Sequence, residues 1–128
     1  MKFMLLMNTP RNGYEEYMKW PKKVLEANIA FMIELSRKLR SAGELVSTEG
    51  LASPTEAKLV HADEEGRPVT DGVFPESKEF LAGYWIVDVD NAERACQIAA
   101  EASTAPGIGD KPLRIEVRQI MSSHRDMK

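Results

Sequence analysis

FLAGYWIVDVD, residues 80–90, is the stretch on which the fold turns. Side chains alternate along a strand, so Leu81, Gly83, Trp85, Val87 and Val89 share one face, while Phe80, Ala82, Tyr84 and Ile86 share the other. Both faces are apolar, and a strand of this kind needs a cover on each side. The opening stretch, residues 2–7, has the same character: Phe3, Leu5 and Met7 oppose Met4 and Leu6. Both strands therefore need cover on both faces of the sheet they join.

The elements around them follow from periodicity. Residues 22–42 read as a long helix, with Leu25, Ile29, Met32 and Leu39 recurring at helical spacing and Phe31 and Leu35 widening the stripe. Pro21 suits its first turn, Arg37, Lys38 and Arg40 complement its C-terminal dipole, and Gly43 is a natural C′ residue. Before it, YEEYMKW has the spacing of a short helical turn. ELVSTEGL reads as a strand, and AKLVHA and RPVTD read as a hairpin closed by DEEG, with Pro68 marking an edge. After residue 90, Asp90 or Asn91 caps a second helix, AERACQIAAEAST, with a narrow stripe of small residues that includes Cys96. LRIEVRQI is the last strand, and the tail MSSHRDMK is expected to fray.

The predicted order is β-α-β-β-β-β-α-β. Setting the hairpin at residues 57–71 aside leaves β-α-β-β-α-β. The expected fold is therefore α+β, ferredoxin-like with an inserted β-hairpin: an antiparallel sheet with two helices on one face, in one domain over residues 1–128. That leaves one apolar sheet face uncovered. A second copy is the simplest cover, so a homodimer packed sheet to sheet, as in an α+β barrel, is expected.

Composition narrows the function classes. With 43% hydrophobic and 29% charged residues the chain is ordinarily globular. A net charge of −3 offers no field for phosphate backbones, so direct nucleic-acid binding is not expected. Lys22, Lys23, Arg37, Lys38 and Arg40 cluster, but Glu26 and Glu34 interrupt them, as on a solvated helix face. The single cysteine excludes a disulfide within the chain, and its apolar neighbours suggest a buried, inert thiol. No run approaches the ~18 apolar residues of a membrane helix, and the N-terminal run is too short for a signal segment. The expected compartment is the cytoplasm.

The candidate chemistry gathers before the long strand. Asp71-Gly72 is a turn signal, with Asp71 bonding local backbone. Glu49, Asp71, Glu76 and Glu79 can also converge on one cleft, where paired carboxylates raise one pKa toward neutrality and supply a general acid or base. Lys78 and Arg118 would neutralise these carboxylates or hold a ligand's anion. Asp71 and Glu79 are thus the catalytic candidates, and Lys78, Tyr84, Glu49 and Arg118 the ligand-binding ones. Neither a metal nor a cofactor is called for. His61 and Asp63 share a strand face and can touch, on a peripheral hairpin; His124 belongs to the tail. Tyr14, Tyr17, Trp20, Tyr84 and Trp85 are read either as packing or as a lid, GYEEYMKW, over an aromatic pocket on the open sheet face with Tyr84 on its floor.

VTDGVFPESKEFLAGYWIVDVDNAERA resembles the YCII-related family, in particular its DGPF branch. The series is Asp71, Gly72, Val73, Phe74, Glu76, Lys78, Glu79, Leu81, Gly83 and Tyr84, with Val73 in place of the motif's proline. MKFMLLM, LRSAGELVSTEGL and IEVRQIM agree as well. The resemblance implies a ferredoxin-like fold, a sheet-to-sheet dimer, and in some relatives lyase-type or dehalogenation chemistry by a His-Asp pair. In those relatives the histidine lies on the first helix, where this chain has LEANIAFMIEL and no histidine. The resemblance also implies an association with extracytoplasmic-function sigma factors. Two functions follow. In one, a cleft binds a small organic molecule and transforms it by proton transfer. In the other, a non-catalytic module acts through protein contact in transcription control.

Overall fold

A computed structural model describes residues 1–71, 79–107 and 113–121. The chain runs β1 (Lys2–Thr9), α1 (Gly13–Met18), α2 (Lys22–Ser41), β2 (Leu45–Gly50), a 3₁₀ turn (Pro54–Glu56), β3 (Leu59–Ala62), β4 (Pro68–Asp71), β5 (Phe80–Asp88), α3 (Ala92–Ser103) and β6 (Ile115–Gln119). Four strands form an antiparallel sheet in the order β2-β5-β1-β6, and β3 pairs with β4 in a separate two-stranded ladder. The two strands with apolar residues on both faces are the central ones. This α+β architecture is consistent with the ferredoxin-like arrangement.

One sheet face carries the core. Phe3, Leu5, Trp85, Val87 and Val89 meet Leu35 and Leu39 of α2 and Ala95, Ile98, Ala99 and Ala102 of α3. Leu5, Val87 and Ile98 are wholly enclosed, each contributing about 1.5–3 kcal/mol by burial. The small side chains of α3 let its backbone lie close to β1 and β6. Asn91 starts α3, its carboxamide oxygen accepting from Arg94 N at 2.9 Å. Gly43 ends α2 at φ 72°, and the N–H groups of Gly43 and Glu44 return to the carbonyls of Arg40 and Leu39, a Schellman closure.

Two readings need correction. Ile29 is 44% exposed, and the buried position on that turn of α2 is Asn28, at 6%. The stripe runs through Leu25, Asn28, Met32, Leu35 and Leu39, and Ile29 lies about 80° round from its centre. Cys96 is exposed rather than buried, because the apolar stripe of α3 runs through Ala95, Ile98, Ala99 and Ala102. On the other sheet face Met4, Leu6, Tyr84 and Ile86 are half-buried. None of the described helices is long and apolar enough to cross a membrane.

Candidate functional site

Where β1 leaves the sheet, the chain turns back on itself. A Cβ on Gly13 would overlap the Thr9 side chain, so glycine lets α1 begin against the strand end. The α1 helix buries no residue completely and has no side-chain cap. Its anchor is Glu15, whose Oε1 accepts from Ser53 Oγ at 2.9 Å. Its Oε2 is shut from solvent and unpartnered among the described residues. Tyr17 and Trp20 project from α1 and the turn after it, with rings tilted 57° and centroids 5.0 Å apart. Gly107 lies under the Trp20 ring, where a Cβ would come within 3.1 Å.

Asn28 ties these pieces together. Its Nδ2 donates to Pro106 O at 2.9 Å, and its Oδ1 accepts from the Tyr17 hydroxyl at 3.4 Å. One carboxamide on α2 thereby joins α1 to the segment after α3. Burial raises the Tyr17 pKa, so the phenol is neutral near pH 7.

Between α1, α2 and the β2/β5 side of the sheet lies a cavity of about 480 Å³. Its aromatic wall includes Tyr14, Tyr17, Trp20 and Trp85, Met32 lines the α2 side, and Asn28 and Thr48 are among its polar groups. The Thr48 hydroxyl is engaged, donating to Tyr84 O at 2.9 Å. Gly83 gives β5 its close approach to β2, since a Cβ there would stand 3.0 Å from Glu49 O.

The candidate residues are dispersed. Asp71 ends β4, exposed, with its Oδ2 3.1 Å from His61 Nδ1. That contact differs from the His61–Asp63 pairing; the backbone groups that follow Asp71 lie outside the described residues. Asp63 is instead occupied in the β3–β4 turn, where its Oδ1 accepts from Glu65 N and Arg67 N at 2.9 Å. These backbone bonds, that from Arg67 foremost, lower its pKa. Glu79 is exposed just before β5, and neither it nor Asp71 is in the cavity lining. Glu49 and Tyr84 are cross-strand partners and both border the cavity. Tyr84 alternates with Trp85, so its side chain lies on the opposite sheet face.

Arg118 sits on β6 opposite Met4, with its Nε 3.6 Å from Glu116 Oε2. Strands β2 and β6 are the sheet's two edges, so Glu49 and Arg118 stand roughly 14 Å apart across three strand spacings. Gly72, Val73, Phe74, Glu76, Lys78 and His124 lie outside the described residues. The cavity itself is on the helix-covered side of the sheet, not on the open face, although the GYEEYMKW segment does wall it. Among the described residues no three of His, Cys, Asp or Glu gather as a metal-binding group.

The reading by periodicity passed over Asn28. The signal was present: three residues after Leu25 and four before Met32, a carboxamide interrupts an apolar stripe.

The YCII-related domain matches residues 1–110. The chain belongs to the YCII-related family. An uncharacterised protein from Rhizobium meliloti (strain 1021) is 29% identical over 96 residues, covering 74% of this chain and 77% of that protein. The family match spans β1 through α3, so it includes every element that walls the YCII-related protein's cavity except the stretch leading into β6.

Proposed function

We propose that this YCII-related protein binds a small organic molecule in the cavity between α1, α2 and the sheet. The observation that carries the reading is a concave space of about 480 Å³, walled by aromatic residues that include Tyr14, Tyr17, Trp20 and Trp85 and holding a buried carboxamide, Asn28. Ligand pockets commonly span about 300–1,000 Å³ and combine apolar walls with a few placed polar groups. The chain's two tryptophans, Trp20 and Trp85, both line the space, so intrinsic fluorescence reports its occupancy directly. Screening aromatic acids, phenols, neutral aromatics and phosphorylated metabolites by fluorescence and thermal shift tests the reading. A compound that quenches the tryptophans and raises the Tm supports it, and Met32→Trp, which fills the space, abolishes both effects. If no compound moves either signal, the reading fails.

Proton transfer is the catalytic extension. Asp71 or Glu79 serves as base, Lys78 meets the anion that proton loss leaves, and Glu49 borders the ligand, within the DGPF branch of the family; Arg118, on the far edge strand, and the Tyr84 ring, on the opposite sheet face, lie apart from it. The contact between Asp71 and His61 favours it, because a carboxylate orients an imidazole for proton exchange. Asp71→Asn with the fold intact and turnover lost supports this chemistry; unchanged turnover removes Asp71 from it.

The half-buried apolar face of Met4, Leu6, Tyr84 and Ile86 supports a cytoplasmic homodimer packed sheet to sheet. It equally favours the alternative of a non-catalytic module working through protein contact in transcription control. Leu6→Lys is expected to convert a dimer to a monomer in light scattering. A wild-type monomer at micromolar concentration overturns the dimer.

A further inference from the structure

This inference rests on the binding reading and concerns the chemical class of the ligand. Among the described residues the cavity lining contains no lysine, arginine or histidine, and its single charged residue is Glu49. An ionised carboxylate or phosphate entering here would leave water with no cation among the described lining residues to meet it, and burying a charge unpaired is heavily unfavourable. A cation would have only Glu49, on the strand edge.

The polar groups inside are more specific. Asn28 Nδ2 donates to Pro106 O at 2.9 Å, and only the NH₂ end of a carboxamide can face a carbonyl, so the orientation of the group is set. Oδ1 therefore accepts from the Tyr17 hydroxyl, across a long 3.4 Å. Since the phenol donates its one hydrogen to Asn28, its oxygen retains acceptor capacity. The second Nδ2 hydrogen makes no hydrogen bond among the described residues. A donor and an acceptor thus stand beside each other, framed by the Tyr17, Trp20 and Trp85 rings. We propose that the cavity takes an uncharged planar aromatic molecule bearing a carboxamide or lactam, whose carbonyl accepts from Asn28 Nδ2 and whose N–H donates to the Tyr17 oxygen. Burial of Tyr17, which keeps the phenol protonated, agrees with this polarity.

Three probes of one shape test the charge preference: naphthaleneacetamide, naphthaleneacetate and naphthylethylammonium, with naphthalene as the apolar reference. Each is titrated against the full chain by tryptophan fluorescence and thermal shift. The amide is expected to bind at least about tenfold more tightly than either ion, since pairing a neutral group avoids the uncompensated charge. Tyr17→Phe should weaken the amide roughly two- to tenfold, the loss of one hydrogen bond, and leave naphthalene unaffected. If naphthaleneacetate or naphthylethylammonium binds as tightly as the amide, or Tyr17→Phe leaves amide affinity unchanged, the assignment is overturned while the binding reading stands. If none of the four changes either signal, the binding reading falls and this inference with it.

Discussion

Replacing Asn28 by alanine removes a side chain that joins α1, α2 and the segment after α3. Two hydrogen bonds go with it, one of 2.9 Å to Pro106 O and one of 3.4 Å from Tyr17. A net hydrogen bond is worth about 0.5–1.5 kcal/mol, and an orphaned buried partner adds about 1–3 kcal/mol. Pro106 is exposed, so water can reach its carbonyl once the amide is gone, and the orphan penalty is largely relieved. The 3.4 Å bond counts at the weak end. The sum is about 1–2 kcal/mol, on the order of 5 °C in Tm for a chain of this size.

Asn28→Asp separates hydrogen bonding from size. A carboxylate cannot donate to Pro106 O, and at 6% exposure it would be a buried charge with no hydrogen-bonded cation among the described residues, so near pH 7 this variant is less stable than Asn28→Ala. The folded protein favours the protonated acid, which can donate again. The folded pKa therefore lies above the unfolded one, and the deficit is complete above the folded value. It closes as pH falls toward the unfolded value of about 3.9. Urea unfolding followed by circular dichroism at several pH values measures both effects. Asn28→Ala within about 0.5 kcal/mol of wild type, or Asn28→Asp as stable as wild type at neutral pH, would refute the role given to this carboxamide.

Three further perturbations test the frame around the cavity. Leu5→Ala empties a wholly enclosed position between sheet and helices, and should cost about 2–5 kcal/mol in urea unfolding. Gly83→Ala sets a Cβ 3.0 Å from the backbone oxygen of Glu49; β2 must shift, with an expected loss of about 1–3 kcal/mol and altered amide exchange at residues 48–50. Glu44 accepts two 2.8 Å hydrogen bonds from Arg94, and these, before all else, hold its pKa below the ordinary carboxylate value. The pair's contribution is present above the unfolded pKa and is lost as pH falls through the lowered folded one. Glu44→Gln should thus be less stable by up to about 1 kcal/mol at neutral pH, since Arg94 is well exposed, and the difference should vanish in acid.

Local chemistry explains why so much of the secondary structure was legible. The reading of α2 over residues 22–42 lies within a residue of Lys22–Ser41, because its C-terminus is written in Gly43 and its apolar spacing is helical. The alternation in residues 80–90 placed β5 and that in residues 2–7 placed β1, while their pairing is read from the structure. Ile29 and Cys96 went astray for one reason. Periodicity counts apolar side chains without knowing the axis of the stripe, and a neighbour about 100° round the helix lands outside it. The site was less legible. Asp71 meets His61 across the β3–β4 ladder, and Glu49 and Arg118 stand on opposite edge strands, an arrangement that no run of charges along the chain encodes.

The element types, the two strands that are apolar on both faces and the family were written in the sequence, since each is carried by residues near one another along the chain. Only the tertiary structure decided which sheet face the helices enclose, that the cavity opens on that face, and that Asn28 sits inside it. Those outcomes depend on contacts between residues as far apart as Asn28 and Pro106, and no local pattern encodes the distance between them.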